Sequence, residues 1–397
     1  MYMTGNQVSS MIGEVFSEIA DAMIIGEFGK RVKVGLTAFG SEHGTGELVK
    51  GAEMASKKYS DFEIVLIGPK IDTNLRIVEV NGEGEMHRKM DELLEKGELD
   101  AAVTMHYNFP IGVSTVGRVI TPGFGKELIL ATTTGTSSTH RVSGMVRNAL
   151  YGIITAKALG ITTPTVGILN VDGARQVERA LKDLKGNGYD INFSESVRAD
   201  GGVVMRGNDL LAAASDIMVM DTLTGNLMMK IFSAYTTGGS YESLGYGYGP
   251  GVGDNYDKII CILSRASGAP VVCEALRYAA SCAQGGLTKI AKAEFEKARR
   301  AGLDNILNGL TAESKKEVKK TEMKQLEKKP VTKSVAGIDI LELENAVEDL
   351  ASEEIYSESG MGCTGPIILV ADEDYNKAVN VLFAKKYISE KPLDCNC

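Results

Sequence analysis

The sequence predicts an α/β protein, a largely parallel sheet with helices on both faces. Three observations lead there. Short, nearly continuous apolar runs recur along the chain, helical patterns fall between them, and glycine- or hydroxyl-rich turns follow several of the runs. Strands buried on both faces read as unbroken apolar runs. Their alternation with helices calls for a sheet covered on both sides. A chain of 397 residues can bury one large core and add a smaller piece.

The elements follow in order. Val8, Met11, Ile12, Val15, Phe16, Ile19 and Met23 recur at helical spacing, interrupted by Glu14, Glu18 and Asp21. This predicts an N-terminal amphipathic helix rather than a signal peptide. Strands are expected at Val32–Leu36, Glu63–Ile67, Ala101–Thr104, Leu128–Thr132, Val166–Leu169, Ile217–Met220, Lys258–Leu263 and Ile367–Val370. Helices are expected at Glu47–Lys57, which Thr45 could cap, and around Leu287, Ile290, Ala291, Phe295 and Ala298. From Thr311 to Lys333 the chain is dominated by Lys and Glu, and an apolar pattern returns at Ile338, Ile340, Leu341 and Leu343. The expected organisation is a body over 1–310, a charged connector over 311–335 and a C-terminal βα module over 336–397.

Composition narrows the function. Apolar residues make up 44% and charged residues 24%, an ordinary globular balance. The net charge of −9 disfavours nucleic acid as a partner. No apolar run approaches the length of a membrane span. The chain is expected to be cytoplasmic, with its six cysteines as free thiols. Cys261 falls in a strand, and Cys273 and Cys282 in a helical stretch, so packing roles are expected for all three. Cys395 and Cys397 lack zinc-site spacing and read as a tail. The four histidines form no metal pattern, so no metal is expected.

The sharpest chemical feature is Ser359-Gly360-Met361-Gly362-Cys363-Thr364-Gly365-Pro366. Glycines let several N–H groups converge on one point. Such groups lower a thiol pKa and stabilise an oxyanion on a thioester carbonyl. That suits Cys363 as a nucleophile flanked by Gly362 and Thr364, although the residues alone leave open a small buried thiol in a turn.

Four turns after strands are candidate anion sites. One is Thr37–Gly46, with Gly40 and His43. The second is Thr132–Arg141, where Ser137, Ser138, His140 and Arg141 combine hydroxyls with a fixed cation. The third is Asp221–Asn226, with Asp221 and Asn226. The fourth is Ser264–Ala269, with Ser264, Arg265 and Ser267. Their shared position after strands predicts one cleft. His87, among Glu and Lys, is expected on a solvated helix. Tyr246–Gly253 reads as a mobile loop, either a lid or an exposed connector.

These residues carry a resemblance. Roughly the first three hundred resemble the phosphate acyltransferase family of phospholipid synthesis, which makes acyl phosphate from acyl carrier protein and phosphate. The likeness lies in Val32–Gly46, Lys96–Val103, Pro164–Asn170 and above all Ala214–Asn226, followed by Lys230. Two departures stand out: Ser264-Arg265-Ala266-Ser267 replaces that family's His-Gly-Ser-Ser, and that family lacks the cysteine-bearing module. Both fit better a second resemblance, across the whole length, to the component C alpha subunits of glycine/sarcosine/betaine reductase complexes, whose Gly-Met-Gly-Cys-Thr-Gly-Pro is matched by Gly360–Pro366.

The second resemblance implies that Cys363 is the active thiol and that an acetyl thioester is cleaved by inorganic phosphate to acetyl phosphate. No cofactor is implied beyond phosphate as co-substrate. The partners implied are a thiolase-like beta subunit and a selenoprotein carrier, and an oligomer is expected. The fold implied is that of phosphate acyltransferases and isocitrate-type dehydrogenases, a three-layer α/β/α body with a mixed, mostly parallel sheet. Two rivals remain: an acyl carrier protein:phosphate acyltransferase that needs no Cys363, and a non-catalytic scaffold for the thiolase-like subunit. A nicotinamide dehydrogenase lacks its Gly-x-Gly-x-x-Gly signature. The sequence assigns no general base.

Overall fold

A computed structural model describes residues 31–197, 202–312, 326–336, 338, 343–362, 365–385 and 387–388, together with Gly13, Phe16 and Ile19. Cys363, Thr364, Cys395, Cys397, residues 313–325 of the expected connector and most of the expected N-terminal helix lie outside these residues.

Twelve strands form one sheet. They are β1 (Val32–Thr37), β2 (Phe62–Gly68), β3 (Arg76–Glu79), β4 (Ala101–Thr104), β5 (Val113–Ile120), β6 (Glu127–Thr136), β7 (Thr165–Leu169), β8 (Asn192–Phe193), β9 (Val204–Met205), β10 (Ile217–Val219), β11 (Gly249–Gly253) and β12 (Ile260–Ile262). Their order is β3-β2-β1-β4-β12-β11-β5-β6-β10-β7-β8, with β9 beside β7. β1, β2, β3, β4 and β12 are parallel to one another, as are β6, β7 and β10.

The seam between the two parallel sets decides where the loops go. β11 pairs antiparallel with both β12 and β5, and β5 pairs antiparallel with β6. Three reversals leave β6, β10 and β7 running opposite to β1, β4 and β12. The loops that follow the two sets therefore leave opposite edges of the sheet.

Side-chain alternation explains the layers. Along β2, Ile64 and Leu66 enter one apolar cluster while Val65 and Ile67 enter the other. The first cluster takes the helices Thr45–Lys58, Arg141–Ala158, Ala174–Gly186, Ala269–Gln284, Leu287–Arg300 and Leu303–Ala312; the second takes Glu83–Glu95, Gly207–Ala212 and Thr222–Ala234. This is a three-layer α/β/α body with a mixed sheet. Each fully buried Leu or Val of such a core stabilises by about 1.5–3 kcal/mol. Cys261, Cys273 and Cys282 are buried among these residues, and burial pushes the Cys273 thiol up to about 11.

β11 corrects the expectation of a mobile Tyr246–Gly253 loop. Its five residues are all buried. Gly249 has φ 83°, and a Cβ there would collide with Val116 O, while one on Gly251 would strike the Phe109 ring. A strand this closely packed must be nearly free of side chains, so it carries no apolar pattern.

The C-terminal module has its own core of Val335, Leu343, Leu350, Ile368, Val370 and Leu382. β13 (Lys333–Ala336), β14 (Ser357–Gly362) and β15 (Gly365–Val370) pair antiparallel in the order β13-β15-β14. The helices Leu343–Ser352 and Tyr375–Ala384 pack on them. Among the described residues the module touches the body where Ile111 packs on its core, where Gly360 bridges Pro110 antiparallel, and where Thr139 Oγ1 donates to Glu344 at 3.4 Å.

Candidate functional site

The loops after β1, β4 and β12 interlock at one edge. Glu42 N donates to Arg265 O at 2.9 Å, and His43 Nε2 lies 3.3 Å from Ala266 O. Ser264 Oγ accepts from Ala266 N at 3.2 Å, and Ser267 Oγ accepts from Ser264 N at 3.2 Å. Ser267 Oγ in turn donates to Glu242 at 2.9 Å, as does Tyr248 OH. Glu242 is 3% exposed, so these donors compensate its buried charge. The Ala269–Gln284 helix begins here, with its first N–H donating to Glu47 Oε1 at 2.9 Å.

Gly40 and His43 sit in the first loop of this set. The helix that follows begins at Thr45 with Gly44 as its N-cap. Thr45 does not cap it; its hydroxyl donates back to Ala38 O at 2.9 Å.

Two histidines complete this edge. His106 follows β4, and its ring centroid lies 6.0 Å from that of His87. His87 Nε2 is 3.3 Å from Thr104 Oγ1, which accepts from Thr37 Oγ1 at 2.9 Å. His87 is half-buried rather than on the solvated face expected for it. Burial is the leading cause that lowers both imidazole pKa values. Glu83 raises His87 and His106, whereas Arg265 lowers His106. Arg265 is exposed, and among the described residues no carboxylate lies within ion-pair distance of it.

The loops after β6, β10 and β7 meet at the other edge. The expected loop at Thr132–Arg141 is strand as far as Thr136. Ser137 is buried and bonded to Ser114 and Asn148, and Asn148 Nδ2 donates to Met220 O at 2.9 Å. Ser138 Oγ accepts from His140 N at 3.2 Å, a local turn contact. His140 caps the Arg141–Ala158 helix through Ser143 N, and burial lowers its pKa. Arg141 Nη2 is 3.0 Å from Asp221 Oδ2. Asp221 is not a loop residue free to bind anions: it caps the Thr222–Ala234 helix through Thr224 N at 3.1 Å.

The Thr222–Ala234 helix spans the two edges. Asn226 Nδ2 donates to Thr133 O at 3.0 Å, Thr133 Oγ1 donates to Tyr248 O at 2.9 Å, and Lys230 Nζ lies 3.9 Å from Glu242. The expected single cleft is thus two sets of loops. Gly40, His43, Ser264, Arg265 and Ser267 share one. Ser137, Ser138, Arg141 and Asp221 share the other, with Asn226 on the helix between them. An exposed guanidinium over hydroxyls and backbone N–H groups can bind a phosphate bidentately; of Arg265 and Arg141, Arg265 is the one with no carboxylate in ion-pair distance among the described residues.

The model of the fatty acid synthesis protein family matches residues 32–369. The chain belongs to that family. This family member is 60% identical over 377 residues to the glycine/sarcosine/betaine reductase complex component C subunit alpha of Peptoclostridium acidaminophilum, covering 95% of this chain and 98% of that relative. It is 26% identical over 244 residues to the phosphate acyltransferase of Geobacillus sp. strain WCH70, covering 50% of this chain and 70% of that relative. The crystal structure of a branched-chain phosphotransacylase from Enterococcus faecalis V583 aligns with a TM-score of 0.43 at 15% identity, over 63% of this chain and 99% of that one.

Sequence reasoning about this family member missed His87, His106 and Glu242. His106 stands two residues beyond an apolar strand, a signal the other loops share. Glu242 and Tyr248 fall in a stretch whose glycines mask its packing.

Proposed function

We propose that this chain transfers an acyl group from a thioester on Cys363 to inorganic phosphate, giving acetyl phosphate, as the alpha subunit of component C in a glycine/sarcosine/betaine reductase complex. Its partners are then the thiolase-like beta subunit and the selenoprotein carrier. The observation that carries the reading is 60% identity over 95% of the chain to a subunit of that name. A likeness of that extent includes the module bearing Gly360–Pro366 as well as the α/β body.

The chemistry is self-contained. A phosphate oxygen attacks the thioester carbonyl, the C–S bond breaks and the thiol is regenerated, with no change of oxidation state. Arg265 neutralises the phosphate, whose charge would otherwise repel the polarised carbonyl oxygen. The sulfur needs no activation in this direction, since a thioester is already a good acyl donor.

Arsenate tests it. It replaces phosphate, and its acyl ester falls apart in water, so acyl transfer from acetyl phosphate appears as steady hydrolysis. The parent should hydrolyse acetyl phosphate in arsenate and Cys363→Ala should not. Turnover that survives the mutation would move the thiol elsewhere and favour a second reading, direct acyl carrier protein:phosphate transfer, which the phosphate acyltransferase relatives matched over half of this chain support. No turnover by parent or mutant, alone or with the beta subunit, would leave a scaffold.

A further inference from the structure

We infer that His106 is the proton-transfer catalyst of this site, with His87 as its positioning residue; the inference rests on the acyl-transfer reading above. The geometry supplies three parts of such a device. His106 lies at the C-terminal end of β4, the central parallel strand between β1 and β12, whose loops carry Gly40, His43 and Arg265. Its ring meets the His87 ring edge-on, at 83° between planes and 6.0 Å between centroids. Both imidazoles are half-buried, so neither is a solvated surface histidine.

The support beneath the pair is polar and ordered. Thr37 donates to Thr104, and Thr104 meets His87 Nε2 at 3.3 Å and donates to His106 O at 3.2 Å. His87 is thereby tied to the backbone that carries His106. A neutral imidazole is the form that accepts a proton. Burial is the main cause that lowers both imidazoles, and at His106 the His87 ring and Arg265 from the loop after β12 act the same way; Glu83 acts the opposite way on both, and Asp91 on His87.

The same segment receives the C-terminal module. Gly360 of β14 bridges Pro110 antiparallel. In the step itself, a protonated phosphate oxygen bonds to the thioester carbonyl carbon as the C–S bond breaks. The proton leaves the phosphate for the His106 imidazole and passes on to the departing sulfur. Atoms and charge balance with no further reagent. Arg265 holds the anion, and its charge adds to burial and the His87 ring in lowering the His106 pKa.

The test compares the parent chain, His106→Gln and His87→Phe in arsenate-dependent hydrolysis of acetyl phosphate across pH, with phosphate binding followed by calorimetry. Gln keeps a hydrogen-bonding side chain and cannot accept a proton. His106→Gln should lose about 100-fold or more in kcat while binding phosphate as the parent does. The ratio of parent to mutant rates should rise with pH through a point below the ordinary histidine value and then level off; arsenate ionisation is common to both and cancels. His87→Phe should move that inflection and lower the plateau rate, by less than His106→Gln does.

Equal rates for parent and His106→Gln would overturn the inference and leave acyl transfer standing. Phosphate binding lost together with rate, or a rate ratio flat with pH, would also overturn it, by making His106 a binding or structural residue. Absence of turnover in the parent would instead remove the acyl-transfer reading, and this one with it.

Discussion

Arg265 and Arg141 invite comparison. Both stand in hydroxyl-rich turns that follow a strand and precede a helix, and in the sequence the two turns are equivalent. In the structure Arg141 is held by Asp221 at 3.0 Å, with Asp172 at 3.8 Å, and the hydroxyls around it are engaged. Arg265 faces solvent, and its charge acts on the His106 imidazole. One loop uses its polar groups to fasten β6 to β10; the other holds its loop with Ser264, Ser267 and Glu242 and leaves its cation unmatched. Hydroxyls and an arginine make an anion site only where the fold does not already consume them.

Three experiments would break or sharpen that contrast. The largest effect belongs to Arg265→Gln. Removal of a charged donor aimed at a reacting anion should lower phosphate-dependent turnover about 100- to 1000-fold and weaken phosphate binding, with the melting temperature unchanged. A smaller loss than that of Arg141→Gln would reverse the assignment of the two loops.

Next comes Ser137→Ala. It removes the Ser137 hydroxyl from the Ser114 hydroxyl and from the Asn148 amide oxygen, both buried, so urea unfolding should report about 1–3 kcal/mol of lost stability, with the activity per folded molecule retained. A stable but inactive Ser137→Ala would mean that this loop does bind substrate. The smallest effect belongs to Arg141→Gln. Its side chain is 45% exposed, and partly exposed pairs contribute about 1 kcal/mol or less. Turnover should change by less than about threefold on the same scale. A tenfold loss would show that the second edge takes part in the reaction.

The fold was legible wherever burial wrote itself into side chains. Ala101–Thr104 was readable to the residue, and β1, β2 and β7 nearly so, because strands covered on both faces have apolar residues throughout. β11 was not legible, because its glycines are dictated by Val116 on β5 and Phe109 in the connection from β4 to β5. β14 was hidden likewise, since Ser357–Gly362 holds few apolar residues and reads as a turn. The site was legible as a set of post-strand loops and illegible as an arrangement. The relative direction of the two parallel sets is fixed by the non-local pairing of β11 with β5, and no local pattern reports it. His87 was obscured by its neighbours: Glu85, Arg88 and Lys89 are charged, yet Met86 and Met90 are buried, and position 87 turns inward with them.

The place of β11 and β12 in the sheet also bears on how the protein is made. No ladder joins β4 to β5; β12 and β11 fill the gap between them. A chain emerging from the ribosome can assemble β1, β2, β3 and β4 as one fragment and β5, β6, β7 and β10 as another. Each fragment then presents a bare strand edge to the other until residues 249–262 arrive. During synthesis the nascent protein carries two sticky half-sheets, and the last hairpin of the body is the insert that closes both at once.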